Sequence, residues 1–226
     1  MTPSGAGDRR PALWTARHPA PGGAAVYVCT AGPEFPDGSV VELPGPPVRS
    51  ERWQFEAHVA APGTVPHRVV TAPAAAPGAP HLWCVLLPAG QDDLVDLVGF
   101  STSSFPDGRI VPASAFEELG IAWGNQVAAV RWSPSTGVVG QLYVAPEHRR
   151  KRLAAKLLLM AGGVRVALDW APLRSDGRLT DLGDAWLRAT PEAWQSRLVE
   201  RRAHLPPMTP AADASGVPRR NLEPDH

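Results

Sequence analysis

Residues 140–160 read Gly-Gln-Leu-Tyr-Val-Ala-Pro-Glu-His-Arg-Arg-Lys-Arg-Leu-Ala-Ala-Lys-Leu-Leu-Leu-Met, a short apolar strand that leads through a basic turn into an apolar helix. The turn carries four consecutive cations, Arg149, Arg150, Lys151 and Arg152. A turn between a strand and a helix N-terminus offers backbone N–H groups to an anion. Exposed cations placed there oppose the positive end of the helix dipole by about 0.3–1 kcal/mol each. A bound polyanion would reverse that cost, so this stretch predicts an anion site.

The segments around this stretch alternate between strand and helix patterns. Apolar runs predict strands at 81–87, 93–100, 125–132 and 138–144, and turn chemistry at 133–137 predicts that the last two form a hairpin. Apolar residues recur at helical spacing from 152 to 160, and Gly162-Gly163 is expected to stop that helix. Residues 164–169 then form a further strand or extend the helix. A helix capped by Thr180 and another from Pro191 to Arg202 follow.

The rest of the chain divides by composition. Residues 1–22 and 206–226 are rich in Pro and poor in clustered large apolar residues, so they are predicted to be flexible arms. Residues 23–80 form a strand-rich region, with strands at 25–29 and 39–43 and a Pro/Ala-rich linker over 60–80. Residues 81–205 are predicted to form the main domain.

One internal similarity links these regions. The sequence Phe-Pro-Asp-Gly occurs at 35–38 and again at 105–108, and Trp53 recurs as Trp123 at the same offset. When the chain is aligned with itself at this offset, few residues outside the Phe-Pro-Asp-Gly turn are identical. Two unrelated turns that share Pro-Asp-Gly chemistry are therefore favoured over a duplication.

The composition excludes several classes of function. The 22 basic residues balance 22 acidic ones, so nothing global indicates nucleic acid or an anionic membrane. The N-terminus lacks an apolar leader core and no apolar run approaches the ~18 residues of a membrane span, so we expect a cytoplasmic protein. Cys29 and Cys84 are favoured as free buried thiols, although a bond between them is possible. The histidines show no metal-binding spacing, and no metal site is predicted.

The element order and the basic turn resemble the GNAT superfamily of N-acyltransferases. That family's pattern Arg/Gln-x-x-Gly-x-Gly/Ala is matched by Arg149-Arg-Lys-Arg152-Leu-Ala154, and the lead-in Val144-Ala-Pro-Glu-His148 is also similar. The family's middle Gly is Arg152 here. Its side chain could obstruct the ligand, or its guanidinium could contact a phosphate directly.

The resemblance implies an α/β (α+β) fold with a mixed, largely antiparallel sheet flanked by helices. It implies acetyl-CoA or another acyl-CoA as cofactor, and direct attack of an acceptor amine on the thioester. Backbone groups of Leu142, Tyr143 and Val144 would pair with the pantetheine arm. The pyrophosphate would lie against Arg149, Arg150, Lys151, Arg152, Leu153 and Ala154.

Catalytic residues are not assigned by the sequence. Many family members use a Tyr beyond the helix as general acid, but the only tyrosines here are Tyr27 and Tyr143. Hydroxyl donors that could substitute are Ser175 and Thr180. Carboxylates and a histidine that could act as general base are Glu56, His58, Glu117, Glu118 and Asp169. Each is more simply explained as a capping or solvated group.

Three functions follow from these observations. The first is an acyl-CoA-dependent N-acyltransferase that acts on a small-molecule or protein amine. The second is a non-catalytic GNAT-like interaction or assembly module, whose arms contact a protein partner. The third is weak nucleic-acid binding through residues 149–152. If the helix began at Pro146, residues 149–152 would lie within it and leave no free amide groups for an anion.

Overall fold

The computed structural model describes residues 12–88, 93–121, 123–190, 194 and 201–205. The strands of the first sheet are β1 (Ala12–Pro19), β2 (Ala25–Gly32), β3 (Val40–Glu42), β4 (Trp53–Val59) and β5 (Arg68–Thr71). Those of the second sheet are β6 (Trp83–Pro88), β7 (Val95–Phe100), β8 (Ile110–Pro112), β9 (Gln126–Trp132) and β10 (Val139–Val144). The helices are α1 (Ala113–Glu117), α2 (Leu153–Ala167) and α3 (Asp181–Arg188), and β11 (Arg178–Leu179) pairs with β12 (Ala203–His204). The expected mixed architecture with largely antiparallel sheets is confirmed.

The two sheets have the same topology. Their strand orders are β3-β1-β2-β4-β5 and, in the matching direction, β8-β6-β7-β9-β10. In each sheet the first strand of the sequence pairs antiparallel with the second and parallel with the third. The register shifts at corresponding places, between Cys29 and Thr30 in one sheet and between Gly99 and Phe100 in the other. The chain therefore contains one β unit twice.

The two Phe-Pro-Asp-Gly turns occupy the same place in each unit. The carboxylate of Asp37 accepts a hydrogen bond from the Leu13 amide at 2.8 Å. The carboxylate of Asp107 accepts one from the Leu82 amide at 2.8 Å. Each turn thus binds the start of the first strand of its unit.

Aromatic packing repeats as well. Trp14 packs edge-on against Phe35 with ring centroids 4.7 Å apart, and Trp83 packs edge-on against Phe105 at 4.9 Å. The sequence-based preference for two unrelated turns is therefore wrong. Strand positions elsewhere require only an apolar residue of suitable size, so the duplicated fold leaves few identical residues.

The two sheets meet edge to edge between β5 and β8. The Val69 amide donates to the Gly108 carbonyl at 2.8 Å, and the Ile110 amide donates to the His67 carbonyl at 3.2 Å. We call this contact the repeat junction. It makes the last strand of the first unit a neighbour of the third strand of the second.

Helix α2 packs against both sheets, contacting β4 and β5 on one side and β9 and β10 on the other. Gly162 and Gly163 do not stop this helix, which continues to Ala167, so the predicted stop is wrong. A Cβ on Gly162 would lie 3.0 Å from Phe55 Cε1, and one on Gly163 would lie 2.7 Å from Val69 Cγ1. These glycines therefore allow close approach to the first sheet. Residues 164–167 extend the helix, and the strand alternative for 164–169 is wrong.

Other expectations need correction or are confirmed. Residues 12–19 of the predicted N-terminal arm form β1, and part of the predicted 60–80 linker is β5. β1 buries Leu13 and His18, and β5 buries Val69, and composition alone does not reveal this burial. The predicted hairpin of β9 and β10 is confirmed. The arm residues 1–11, the tail 206–226 and most of the predicted helix after Pro191 lie outside the described residues.

Two further expectations concern thiols and membranes. Cys29 and Cys84 are both buried thiols that form no disulfide, as favoured from the sequence. Burial raises the pKa of the Cys84 thiol, so it stays protonated. None of the described helices is long and apolar enough to cross a bilayer.

Candidate anion site at the start of helix α2

The basic turn lies before helix α2. Residues Pro146–His148 form one 3-10 turn, Arg149 is extended, and the α-helix begins only at Leu153. The alternative in which the helix begins at Pro146 is therefore excluded. Three residues of irregular backbone, 150–152, separate the extended Arg149 from the helix.

Two arginines of this turn have left-handed backbone conformations. Arg150 has φ 60° and Arg152 has φ 57°, and Asp169 at φ 56° is the other non-glycine residue with positive φ in the described part of the chain. This conformation costs a non-glycine residue roughly 1–2 kcal/mol. Arg152 thus adopts the backbone conformation that glycine takes without strain. Strain of this kind tends to persist where function requires it.

The amides of residues 150–155 lack acceptors within the described ranges. Arg152 precedes the helix without a side-chain cap, and the first helical hydrogen bond joins the Lys156 amide to the Arg152 carbonyl at 3.1 Å. Consecutive unpaired N–H groups at a helix start carry a partial positive charge. We call residues 150–155 the amide turn.

The four cations of the turn have different surroundings. Arg150, Lys151 and Arg152 are exposed and have no carboxylate partner among the residues described. Arg149 is half-buried, and its Nε donates to the Val144 carbonyl at 3.1 Å. Three side chains are thus available to an anion beside the amide turn, while Arg149 joins the turn to β10.

Strand β10 is the edge of the second sheet. The Ala145 amide donates to the Val127 carbonyl of the neighbouring chain segment at 2.9 Å. Because backbone groups alternate along a strand, the amides of Leu142 and Val144 point away from β9. The amide of Tyr143 faces β9 and is not presented at the outer edge. The pantetheine contacts expected for residues 142–144 stay predictions, and the outward groups are those of Leu142 and Val144.

The start of β10 is covered by the segment that follows α2. The Val139 amide donates to the Arg174 carbonyl at 2.9 Å, and the Arg174 amide donates to the Gly137 carbonyl at 2.9 Å. This contact is a single parallel bridge. A β-bulge between Val139 and Gln141 follows it. As far as the described residues show, the outer edge is therefore open at the backbone groups of Leu142 and at the Val144 amide, while the Val144 carbonyl accepts from Arg149.

Two of the predicted general bases lie together on β4, on the face of the first sheet that points away from α2. Glu56 Oε1 lies 2.7 Å from His58 Nε2, and Arg49 Nε donates to Glu56 Oε2 at 2.6 Å. Burial alone would raise the pKa of Glu56, but the hydrogen bond and charge of Arg49, assisted by His58, lower it. Glu56 is thus a paired carboxylate, and the sheet separates it from α2 and the amide turn.

The remaining candidates have structural roles or open surroundings. Ser175 Oγ accepts from the Gly177 amide at 3.0 Å, and Thr180 Oγ1 accepts from the Gly183 amide at 3.1 Å, which confirms Thr180 as a helix cap. Glu118 and Asp169 are exposed, and the side chain of Glu117 lies outside the described set. None of these groups is placed at the edge of β10 by a described contact.

Lys156 is a site residue that the sequence analysis missed. It is 5% exposed, and its Nζ donates to Asp107 Oδ1 at 2.7 Å and to the Pro80 carbonyl at 2.8 Å. The sequence feature that could have indicated this role is a lysine in the first turn of an otherwise apolar helix. This pair anchors the start of α2, and with it the amide turn, to the second Phe-Pro-Asp-Gly turn.

Comparisons with known proteins identified no relative of this chain. No protein-family model, curated protein or solved structure matches this chain. Among the described residues, no group of three His, Cys, Asp or Glu side chains is arranged to hold a metal ion. The chemistry available at the start of α2 is therefore that of backbone amides and exposed cations.

Proposed function

We propose that this protein binds an acyl-coenzyme A, with the pyrophosphate at the amide turn, and transfers the acyl group to an amine. The observation that carries the proposal is the left-handed backbone at Arg150 and Arg152 together with the unpaired amides of 150–155. Unpaired amides at a helix start favour phosphate groups by hydrogen bonding and by the helix dipole. Exposed cations add charge-assisted bonds.

The pantetheine arm would lie along the open edge of β10. Its amide groups can pair with the outward backbone groups of Leu142 and Val144, as an added strand would. The Val144 carbonyl already accepts a hydrogen bond from Arg149 Nε. The amide and the carbonyl of Leu142 are therefore the pair of backbone groups that remains available to the pantetheine arm. The single bridge at Arg174 limits the edge at its other end.

The geometry favours a direct role for the Arg152 side chain. Its backbone already has the conformation that the family's glycine provides, so the amide turn is not distorted by the replacement. Its exposed guanidinium can therefore act as a bidentate phosphate donor. Obstruction of the ligand would instead require that side chain to fold over the unpaired amides.

The transfer would be direct, without an acyl-enzyme. The neutral amine attacks the thioester carbonyl, the C–S bond breaks, the thiolate takes a proton, and the new amide nitrogen loses one to solvent. Cys29 and Cys84 are buried, and the Cys84 thiol has a raised pKa, so neither suits a covalent intermediate. Positioning of the thioester would supply most of the rate enhancement.

Calorimetry with acetyl-CoA tests the binding step. The Arg150→Glu variant should bind acetyl-CoA at least about tenfold more weakly than the wild type, because it reverses a charge beside the phosphates. Arg52→Glu is the matched control, since Arg52 is an exposed arginine of the first sheet region. Equal affinities for all three proteins, or no binding at millimolar acetyl-CoA, would refute the proposal.

Thiol release from acetyl-CoA tests the transfer step. Incubation with a panel of small amines and lysine peptides should release coenzyme A thiol, detected with an aromatic disulfide reagent. The buried cysteines keep the background from the protein low.

A second candidate is a binding or assembly module without transfer activity. It is favoured by the duplicated β unit and by the absence of a described proton acceptor at the edge of β10. Acetyl-CoA binding without thiol release for any amine would support this candidate over the transferase.

A further inference from the structure

The repeat junction shows how the edge strand of one β unit pairs with the edge strand of the next. The Val69 amide of β5 donates to the Gly108 carbonyl at 2.8 Å, and the Ile110 amide of β8 donates to the His67 carbonyl at 3.2 Å. Ile110 is only 1% exposed in this contact. The junction is thus a formed interface between the last strand of one unit and the third strand of another.

Both halves of this interface occur a second time in the chain. Leu142 of β10 stands opposite Val130 as Val69 stands opposite Ala57, so β10 corresponds to β5. Val40 of β3 pairs with β1 as Ile110 pairs with β6, so β3 corresponds to β8. By this correspondence, Leu142 matches Val69.

The second set of groups is unpaired in the described part of the molecule. The amides of Leu142 and Val40 and the carbonyl of Gly38 have no backbone partner there. Val40 is 44% exposed, whereas its counterpart Ile110 is buried. One chain therefore carries an open strand edge at β10 and a second open strand edge at β3.

We infer that a second copy of this chain docks its β3 edge on β10, repeating between molecules the junction that joins the two sheets within one. The Leu142 amide would donate to Gly38 of the second copy, and Val40 of the second copy would be covered. The contact is head-to-tail, so it leaves one open edge at each end and builds rings or filaments rather than a closed two-fold dimer.

The same edge is the one proposed for pantetheine. Acyl-CoA and the second copy would therefore exclude each other, and this exclusion rests on the proposed function. The docking itself does not depend on it, because its evidence is the repeat junction.

Sedimentation velocity over a concentration series tests the docking. Wild-type protein should associate as concentration rises, and Val40→Lys should need about tenfold higher concentration or more, since lysine on an edge strand blocks strand addition. Val48→Lys is the matched control, because Val48 is 73% exposed and lies outside any strand. Its association should equal that of the wild type. A monomeric wild type throughout, or equal effects of both lysines, would overturn the inference.

A second variant covers the case in which Val40→Lys fails to fold. Leu142→Pro removes the outward donor on β10 while the bonds to β9 come from other residues, and it should abolish association in the same way. Association that survives this change would also overturn the inference.

Acetyl-CoA separates the two proposals. At saturation it should dissociate the assembly of the wild type, and binding that leaves the assembly intact would overturn the shared edge. If acetyl-CoA does not bind at all, the proposed function fails. In that case, association of the wild type that is lost in the Val40→Lys variant would still support the docking of a second copy.

Discussion

Replacing Arg152 by glycine separates the backbone of the amide turn from its side chain. Arg152 has φ 57° and lies exposed at the start of α2. Glycine adopts this φ freely, so the amides of the turn should keep their positions. The variant loses the Arg152 side chain with its guanidinium but keeps the backbone groups, and we expect a more stable protein that binds acetyl-CoA more weakly.

The expected gain in stability follows from two opposed effects. Relief of the left-handed conformation contributes about 1–2 kcal/mol. The greater freedom of glycine in the unfolded chain costs about 0.5–1 kcal/mol. The free energy of unfolding should therefore rise by about 0–1.5 kcal/mol, which raises Tm by up to roughly 3–6 °C for a protein of this size.

Asp169→Gly is the matched control for this substitution. Asp169 has φ 56°, is exposed, and lies after the other end of α2. Both variants should gain similar stability in thermal or urea unfolding. Calorimetry should show weaker acetyl-CoA binding only for Arg152→Gly, by about tenfold if a charge-assisted contact is lost.

Two results would contradict this expectation. Tighter binding by Arg152→Gly would mean that the side chain obstructs the ligand. Loss of stability in both variants would mean that the left-handed conformations carry no cost, and the interpretation of the turn as a strained site would fail.

Three further perturbations test the fold around the site. Gly163→Ala should lower the free energy of unfolding, measured in urea, by about 1–3 kcal/mol, because the new Cβ would lie 2.7 Å from a valine methyl of β5. Gly140→Ala is the control: a Cβ there would have nothing within 4 Å, so the free energy of unfolding should change by less than about 0.5 kcal/mol. Lys156→Met should cost about 1–3 kcal/mol in the same assay, because the Pro80 carbonyl loses the ammonium donor and Asp107 keeps only the Leu82 amide. An unchanged midpoint would show that the pair does not anchor α2. The lowered pKa of Glu56 implies stability that is fully present above its unfolded value of about 4.5 and is lost as pH falls through the folded value. Glu56→Gln should flatten that acid loss, and an unchanged slope of stability against pH would refute the pairing.

Local chemistry was predictable where one short segment determines the structure. The turn at 133–137 joins two apolar runs, and the hairpin of β9 and β10 follows from that pattern alone. Thr180 caps α3 because its hydroxyl can reach an amide three residues later. The strand at 138–144, the basic turn and the first part of helix α2 were recognisable for the same reason, whereas the extent of α2 beyond Gly162 was not.

Features that depend on distant residues were not predictable. Gly162 and Gly163 resemble a helix stop in isolation, and only the position of the first sheet shows why the helix needs them. β1 looked like part of a flexible arm, since its burial depends on pairing with β2. The duplication is visible in hydrogen bonds and register, because equivalent strand positions kept their apolar character but not their identity.

The candidate site shows the same division. The sequence located the cations at 149–152, but the left-handed backbone of Arg150 and Arg152 is a property of the folded turn. The outward direction of the Leu142 amide depends on the register of β10 against β9. The buried Lys156 depends on a partner in the second Phe-Pro-Asp-Gly turn.

Amide chemical shifts measured during an acetyl-CoA titration test the central claim most directly. Nitrogen-15 labelled protein should show its largest shift changes at the amides of residues 150–155, with further changes at Leu142 and Val144. Arg150→Glu should reduce these changes at equal ligand concentration, and Arg52→Glu should not. Shifts confined to other surfaces, or none at millimolar acetyl-CoA, would contradict the assignment of the amide turn as a pyrophosphate site.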